Sequence, residues 1–227
     1  RRGIESQGRL GPKIMGNHLF DLVRARIPAP SARFALLDDG RHYSYADMVD
    51  VSARYANALV ALGVKPGDRV AVQVEKSIEA LMLYLGAVRA GAIFLPLNTA
   101  YTPAEIEYFL GDAQPAVFVC DPAKADALKP YAAKAGAKLE TLGVWRSPDI
   151  SAGTLSDKAL AASAAFADIE RGPDDLAAIL YTSGTTGRSK GAMLSHDNLA
   201  SNALALVDYW RFGKDDVLLH ALPIFHT

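Results

Sequence analysis

The sequence predicts a layered α/β fold, a largely parallel sheet covered by helices. Three observations carry this. Stretches of helical period alternate with short apolar or period-two stretches along most of the chain. The connections between successive strands are too long for hairpins. Several strand candidates are apolar at every position, as strands buried on both faces are. The chain has 227 residues, 50% apolar and 22% charged, an ordinary globular composition.

The elements follow in order. Residues 1–14 are polar with scattered charge and contain no apolar h-region, so they are not a secretory signal. They read as foreign sequence ahead of Met15, and amphipathic patterning begins after Asn17. Tyr45 to Leu62 places Met48, Val51, Tyr55, Leu59 and Leu62 on one helical face, and Gly63 stops it. Arg69 to Val74 alternates, with Val70, Val72 and Val74 on one side, and reads as a strand. Ser77 to Ala90 is a helix with Ser77 as N-cap and Gly91 as its stop. Ile93 to Leu97 is a buried strand. Thr102-Pro103-Ala104-Glu105 is a capping box with Pro at the first helical position, opening a helix that ends at Gly111. Ala116 to Cys120 is a strand, Pro122 to about Ala135 a helix with Asp121 as cap, and Lys138 to Val144 a further strand. Arg146 to Gly153 is an irregular connection. Leu155 to Ala167 reads as an Ala-rich surface helix, and a new module is expected from Gly172-Pro173-Asp174-Asp175.

Charge and cysteine content exclude several classes. Lys and Arg total 24 and Asp and Glu 25, a net charge of −1. A nucleic-acid surface needs a basic excess. Lys124, Lys129, Lys134 and Lys138 read as a solvated face. The single cysteine, Cys120, excludes a disulfide framework or a multi-Cys metal site. Its place at the end of an apolar strand suggests an inert buried thiol, which fits a reducing, cytoplasmic setting. The longest apolar stretch, Ala80 to Leu97, is broken by Arg89 and Gly91, so a buried helix running into a buried strand explains it better than a membrane span. His196 and Asp197 read as helix-start residues, and His220 as a strand-end residue.

The most informative stretch follows the apolar strand Leu176 to Tyr181. It runs Thr182-Ser183-Gly184-Thr185-Thr186-Gly187-Arg188-Ser189-Lys190-Gly191. Glycines let backbone approach a ligand, and Thr182, Ser183, Thr185, Thr186 and Ser189 each carry a hydroxyl donor. Arg188 and Lys190 add positive charge, and successive N–H groups in such a loop can cradle an anion. Together they suit a polyphosphate. The spacing is not Gly-x4-Gly-Lys-Ser/Thr, so this is not a Walker loop. Ala192 to Leu194 is apolar, so the loop is expected to join two strands. A flexible Gly/Ser/Thr linker has similar composition, but this stretch is bracketed by buried strands and holds two cations.

The string from Tyr181 to Gly191 resembles the phosphate-binding signature of the adenylate-forming enzymes: acyl-CoA synthetases, luciferases and peptide synthetase adenylation domains. Three further stretches resemble the family's motifs in its order: Tyr43 to Met48, Arg89 to Asn98, and Pro223-Ile224-Phe225-His226. The text around Arg188-Ser189 and from Ala192 to Asn202 is most similar to malonyl- and methylmalonyl-CoA synthetases. Most relatives carry Pro where Ser189 stands, and its loss leaves the loop backbone freer.

The resemblance implies a two-step reaction in which ATP and a carboxylic acid give an acyl-adenylate, and coenzyme A then takes the acyl group. It implies β/γ-phosphate contacts from Thr182, Ser183, Thr185 and Thr186, backbone approach at Gly184 and Gly187, and Mg²⁺ near Thr186. Lys190 serves as charge clamp or as a holder of the loop, and His226 lines the acyl pocket or is structural. Residues 15–227 then form the first part of a large N-terminal ATP/acyl-binding domain, without the small C-terminal domain. The expected partners are a small acid, ATP and coenzyme A. The exposed sheet edge would be met by the rest of the chain or by a second copy in a homodimer. An adenylating enzyme of another branch, such as an aryl- or fatty acyl-CoA ligase, and a non-catalytic nucleotide-binding module are the alternatives.

Overall fold

The computed structural model describes residues 16–143, 152–182 and 188–225. The expected leader 1–14 and most of the connection 146–153 lie outside them.

Helix α1 (His18–Arg24) opens the described chain, capped by Asn17. A short antiparallel ribbon follows, β1 (Arg33–Leu36) with β2 (His42–Ser44). The sequence reading did not anticipate it. Its strands span only four and three residues, too short to show a period. Ser44 and Asp47 form a reciprocal capping box that starts α2 (Tyr45–Ala61).

Four parallel strands come next: β3 (Arg69–Gln73), β4 (Ile93–Pro96), β5 (Val117–Cys120) and β6 (Lys138–Thr141). They are interleaved with α3 (Ile78–Arg89), α4 (Pro103–Ala113) and α5 (Ala125–Lys134). After α6 (Thr154–Ala161), β7 (Leu176–Thr182) and β8 (Lys190–Ser195) complete the sheet, and α7 (His196–Tyr209) follows. The sheet order is β6-β5-β3-β4-β7-β8, parallel except for the β7–β8 hairpin. The expected new module at Gly172 is therefore the continuation of the same sheet.

Alternation along the strands assigns each residue to one of two cores. Val70, Val72, Val117 and Val119 face the larger cluster with α1, α2, α3 and α6. Ala71, Phe118 and Cys120 face the smaller one, with Ile106, Phe109 and Leu110 of α4 and Leu128 of α5. Burial pushes the Cys120 thiol up to about 11, which keeps it protonated and inert. Helices α2 and α3 touch at Gly86, where an added Cβ would lie 2.7 Å from Tyr55 Cβ.

Three boundaries differ from expectation. Helix α4 passes Gly111 and ends at Ala113, with Gln114 as its C-cap in the left-handed region at φ 45°. Arg69 donates to the carbonyls of Ala113 (2.7 Å) and Gln114 (2.9 Å), satisfying the helix end. Helix α6 stops at Ala161, because Arg54 takes the carbonyls of Leu160 and Ala162 and Asn57 those of Ser163 and Ala165. It lies at the surface with Thr154, Asp157, Lys158 and Leu160 exposed, and its inner face, Leu155 and Ala159, is buried against α2. Strand β6 ends at Thr141, short of the expected Val144.

Arg89 is the largest fully buried side chain. Its Nε donates to Asp168 at 2.6 Å, and its terminal nitrogen donates to the Val49 carbonyl (2.6 Å) and Ser52 Oγ (2.8 Å). The guanidinium lies 4.6 Å from the Phe20 ring centroid, and Arg24 pairs with the same Asp168. Asn17 donates to the carbonyls of Val88 and Ile169.

His196 is the first residue of α7 rather than its cap. Ser195 caps the helix, with Asn198 reciprocating. The imidazole is fully buried, and its Nδ1 accepts from the Leu19 amide at 3.4 Å. Burial, then the nearby charge of Arg171, lowers its pKa to about 4, against an opposing contribution from Asp175.

Two predictions follow from these buried groups. Arg89→Met leaves Asp168 with only the exposed Arg24, and should cost about 3–5 kcal/mol in urea unfolding. A loss below about 1 kcal/mol would remove the pair from its structural role. For His196, the unfolded imidazole protonates near pH 6.5 and the folded one only near 4. Its contribution is therefore complete above pH 6.5 and is lost as pH falls towards 4, by an amount on the order of 3 kcal/mol. His196→Gln should flatten the stability profile in that window.

Candidate phosphate-binding site

The loop expected to hold phosphates is the turn of the β7–β8 hairpin. Strand β7 is wedged between β4 and β8, with Ala177 and Ala178 buried. In the hairpin register, Tyr181 lies opposite Gly191 and Thr182 opposite Lys190. Thr182 and Lys190 thus form the last rung before the turn, and both are exposed. Residues paired this way project from the same face with Cβ atoms roughly 5 Å apart. A hydroxyl and an ammonium therefore stand side by side at the mouth of the loop. Arg188 is also exposed, and neither Arg188 nor Lys190 has an ion-pair partner among the described residues. Among the described residues, then, no carboxylate neutralises this positive charge. Ser183, Gly184, Thr185, Thr186 and Gly187 lie outside the described residues, as does His226.

The stems of the loop are tied to α4. Tyr108 Oη donates to the Ser189 carbonyl at 2.9 Å, and Tyr181 Oη donates to Asp112 Oδ2 at 2.5 Å. Burial, then the Asp112 carboxylate, pushes the Tyr181 phenol well above its ordinary range, so it remains a donor. Gly191 is required beside these rings, since a Cβ there would meet Ile179 Cγ2 at 2.8 Å.

The loop opens at the carboxyl edge of the parallel strands, where ligands bind in open α/β sheets. That edge is held by polar ties. Buried Gln73 donates to the Asn98 carbonyl at 2.9 Å, and Lys124 to that of Thr99 at 2.8 Å. Lys76, just after β3, donates to the carbonyls of His220, Ala221 and Leu222 at 2.9, 3.0 and 3.1 Å. This holds the segment that leads into Pro223-Ile224-Phe225, and Ile224 packs on the larger core. Residues 217–220 form no strand, so His220 is not a strand-end residue.

The sequence reading missed Lys76, Tyr108 and Asp112. Helical spacing serves packing and polar reach equally, so it does not single out Tyr108. Tyr108 and Asp112 do stand four residues apart, so they share a helix face. Nothing local marks Lys76, whose acceptors lie more than 140 positions away.

The sheet is largely parallel, and an exposed hydroxyl-and-cation rung stands at the base of the Gly/Thr-rich hairpin connection at its carboxyl edge. The chain belongs to the AMP-binding enzyme family, which matches residues 24–227. It is 59% identical to ATP-bound MatB from Rhodopseudomonas palustris, with a TM-score of 0.86 over 93% of this chain and 41% of that one. It is 32% identical to a mitochondrial malonate–CoA ligase of Bos taurus, over 90% of this chain and 34% of the relative. It is 36% identical to a feruloyl-CoA synthase of Amycolatopsis, over 90% of this chain and 38% of the relative. The chain thus spans about two fifths of the length of the proteins it matches. No described helix is long and apolar enough to cross a membrane.

Lys76→Met removes three charge-assisted hydrogen bonds, and should speed chymotryptic cleavage after Leu218 and Leu219 about 10-fold. An unchanged cleavage rate would show that the ammonium does not hold this segment.

Proposed function

We propose that the full polypeptide carrying this chain activates malonate or methylmalonate with ATP and transfers the acyl group to coenzyme A. The carboxylate oxygen attacks the α-phosphorus, and the bond to the bridging oxygen breaks to release pyrophosphate. The coenzyme A thiol loses its proton and attacks the acyl carbon, and AMP leaves with the electrons of the C–O bond. The observation that carries the first step is the exposed Thr182–Lys190 rung beside Arg188. Both cations suit the charge that grows on the departing pyrophosphate, and such fixed charges act by positioning and electrostatics. Ser183, Gly184, Thr185, Thr186 and Gly187 are assigned to the same triphosphate, and His226 to the acyl pocket.

The choice of acid rests on two supports. The text from Arg188 to Asn202 is of the malonyl type, and a malonate–CoA ligase is among the relatives. The 36% identity to a feruloyl-CoA synthase keeps an aromatic acid as the second reading. Mg²⁺ would arrive with ATP, neutralising phosphate charge near Thr186. Among the described residues no group of three His, Cys, Asp or Glu side chains forms a metal site, so no step is assigned to a protein-held ion.

Residues 15–227 are proposed as the first part of the large N-terminal domain. An apolar surface supports this: Met193, Val207, Tyr209, Trp210, Val217 and Leu219 are exposed together with the edge strand β8. Surfaces of this kind are normally covered, and we assign the cover to the remainder of the polypeptide. The buried, unpaired Cys120 supports a reducing compartment, and we place the protein in the cytoplasm.

AMP release by the full polypeptide should be fastest with malonate or methylmalonate, at least about 10-fold over acetate, coumarate and ferulate. Faster turnover of coumarate or ferulate would move the enzyme to the aromatic branch. Thr182→Ala with Lys190→Ala should lower acid-dependent pyrophosphate exchange by about 10²–10³-fold. Unchanged exchange would remove the rung from the reaction.

A further inference from the structure

We propose that α4 is a brace for the phosphate loop, with Tyr108, Asp112 and Tyr181 as positioning residues that fix its two stems. The inference rests on the triphosphate reading of the hairpin. A two-residue hairpin turn sets its own geometry through its turn type. Here the stretch between Thr182 and Lys190 is seven residues long, so its ends must be fixed from outside.

Helix α4 does this with one face. Tyr108 and Asp112 are one helical turn apart and project together. Tyr108 holds the stem that enters β8, through the Ser189 carbonyl, and Asp112 holds the stem that leaves β7, through the Tyr181 hydroxyl. The rings of Tyr181 and Tyr108 lie 4.5 and 5.4 Å from the Phe109 ring at tilted angles, so the three form one aromatic cluster. Ser189 lacks the ring that fixes proline's φ. Its restraint comes instead from the bond to its carbonyl.

A brace must itself be anchored, and α4 is. Its N-terminus is closed by the reciprocal Thr102–Glu105 box. Its C-terminus is held to β3 by Arg69. Ile106, Phe109 and Leu110 are at most 2% exposed and seat it on the sheet. The stems are thereby referred to the sheet rather than to each other.

The test uses Tyr108→Phe and Tyr181→Phe, single and double, in the full polypeptide. Each removes one hydroxyl and keeps the ring, so the fold is retained. The expected result has two parts. Amide exchange of the peptide spanning 182–191, without nucleotide, should speed at least about 3-fold, and the Kd for ATP should rise about 3- to 10-fold per lost bond. The KM for the acid should not change. Tyr131→Phe, on the neighbouring helix, should leave all three unchanged. Unaltered exchange in the double variant would overturn the brace. So would faster exchange with unaltered ATP affinity. If the unsubstituted polypeptide neither binds ATP nor forms AMP with any acid, the proposed function fails, and the exchange measurement still decides whether α4 restrains the stems.

Discussion

The buried pair of Arg89 and Asp168 is the contact on which the other placements depend. A guanidinium at 2% exposure is tolerable only when its donors are met, and Asp168, Val49 and Ser52 meet them. Those partners come from α2 and from the segment before β7, and Arg89 itself ends α3. The pair therefore decides where that segment lies. Three residues on, Arg171 donates to the Gly91 carbonyl, two positions before β4 begins. Strands β4 and β7 thus leave a common clamp side by side. Their register places Phe94 opposite Ala178, so β7 runs past the end of β4. The overhang carries Tyr181 and Thr182 beyond the sheet's carboxyl edge, where a nucleotide can reach them.

From that overhang the chemistry follows by short steps. Only β8 pairs with the projecting residues, and it brings Lys190 to Thr182. Tyr108 and Asp112 tie the two stems on either side of the connecting loop to α4. The same carboxyl edge collects the ties from Gln73, Lys124 and Lys76, which hold the neighbouring loops by their carbonyls. Rigidity at this edge is built from side-chain donors on backbone acceptors, a common arrangement where regular hydrogen bonding stops.

Much of this was legible in the sequence because the signals were local. The Thr102–Glu105 box and the Ser77 cap announce their helices within four residues, and both form as read. The alternation of Val70, Ala71 and Val72 assigns faces directly. The hydroxyl-rich loop was recognised as a connection between strands, and its Thr182 and Lys190 do meet. What was not legible depends on distant partners. The early end of α6 is imposed by Arg54 and Asn57, about a hundred residues before it. Arg89 read as an interruption of an apolar run, since its acceptors are scattered over α2 and residue 168. Nothing local marks Tyr108, because the carbonyl it binds lies 81 positions away.

The proposed function requires a triphosphate to bind at the β7–β8 turn. Amide exchange of the full polypeptide with and without Mg–ATP tests it most directly. The account predicts that protection is greatest in the peptide spanning 182–191, with little change along α5 and β6 at the far side of the sheet. Protection that leaves residues 182–191 unaltered and falls elsewhere would contradict it.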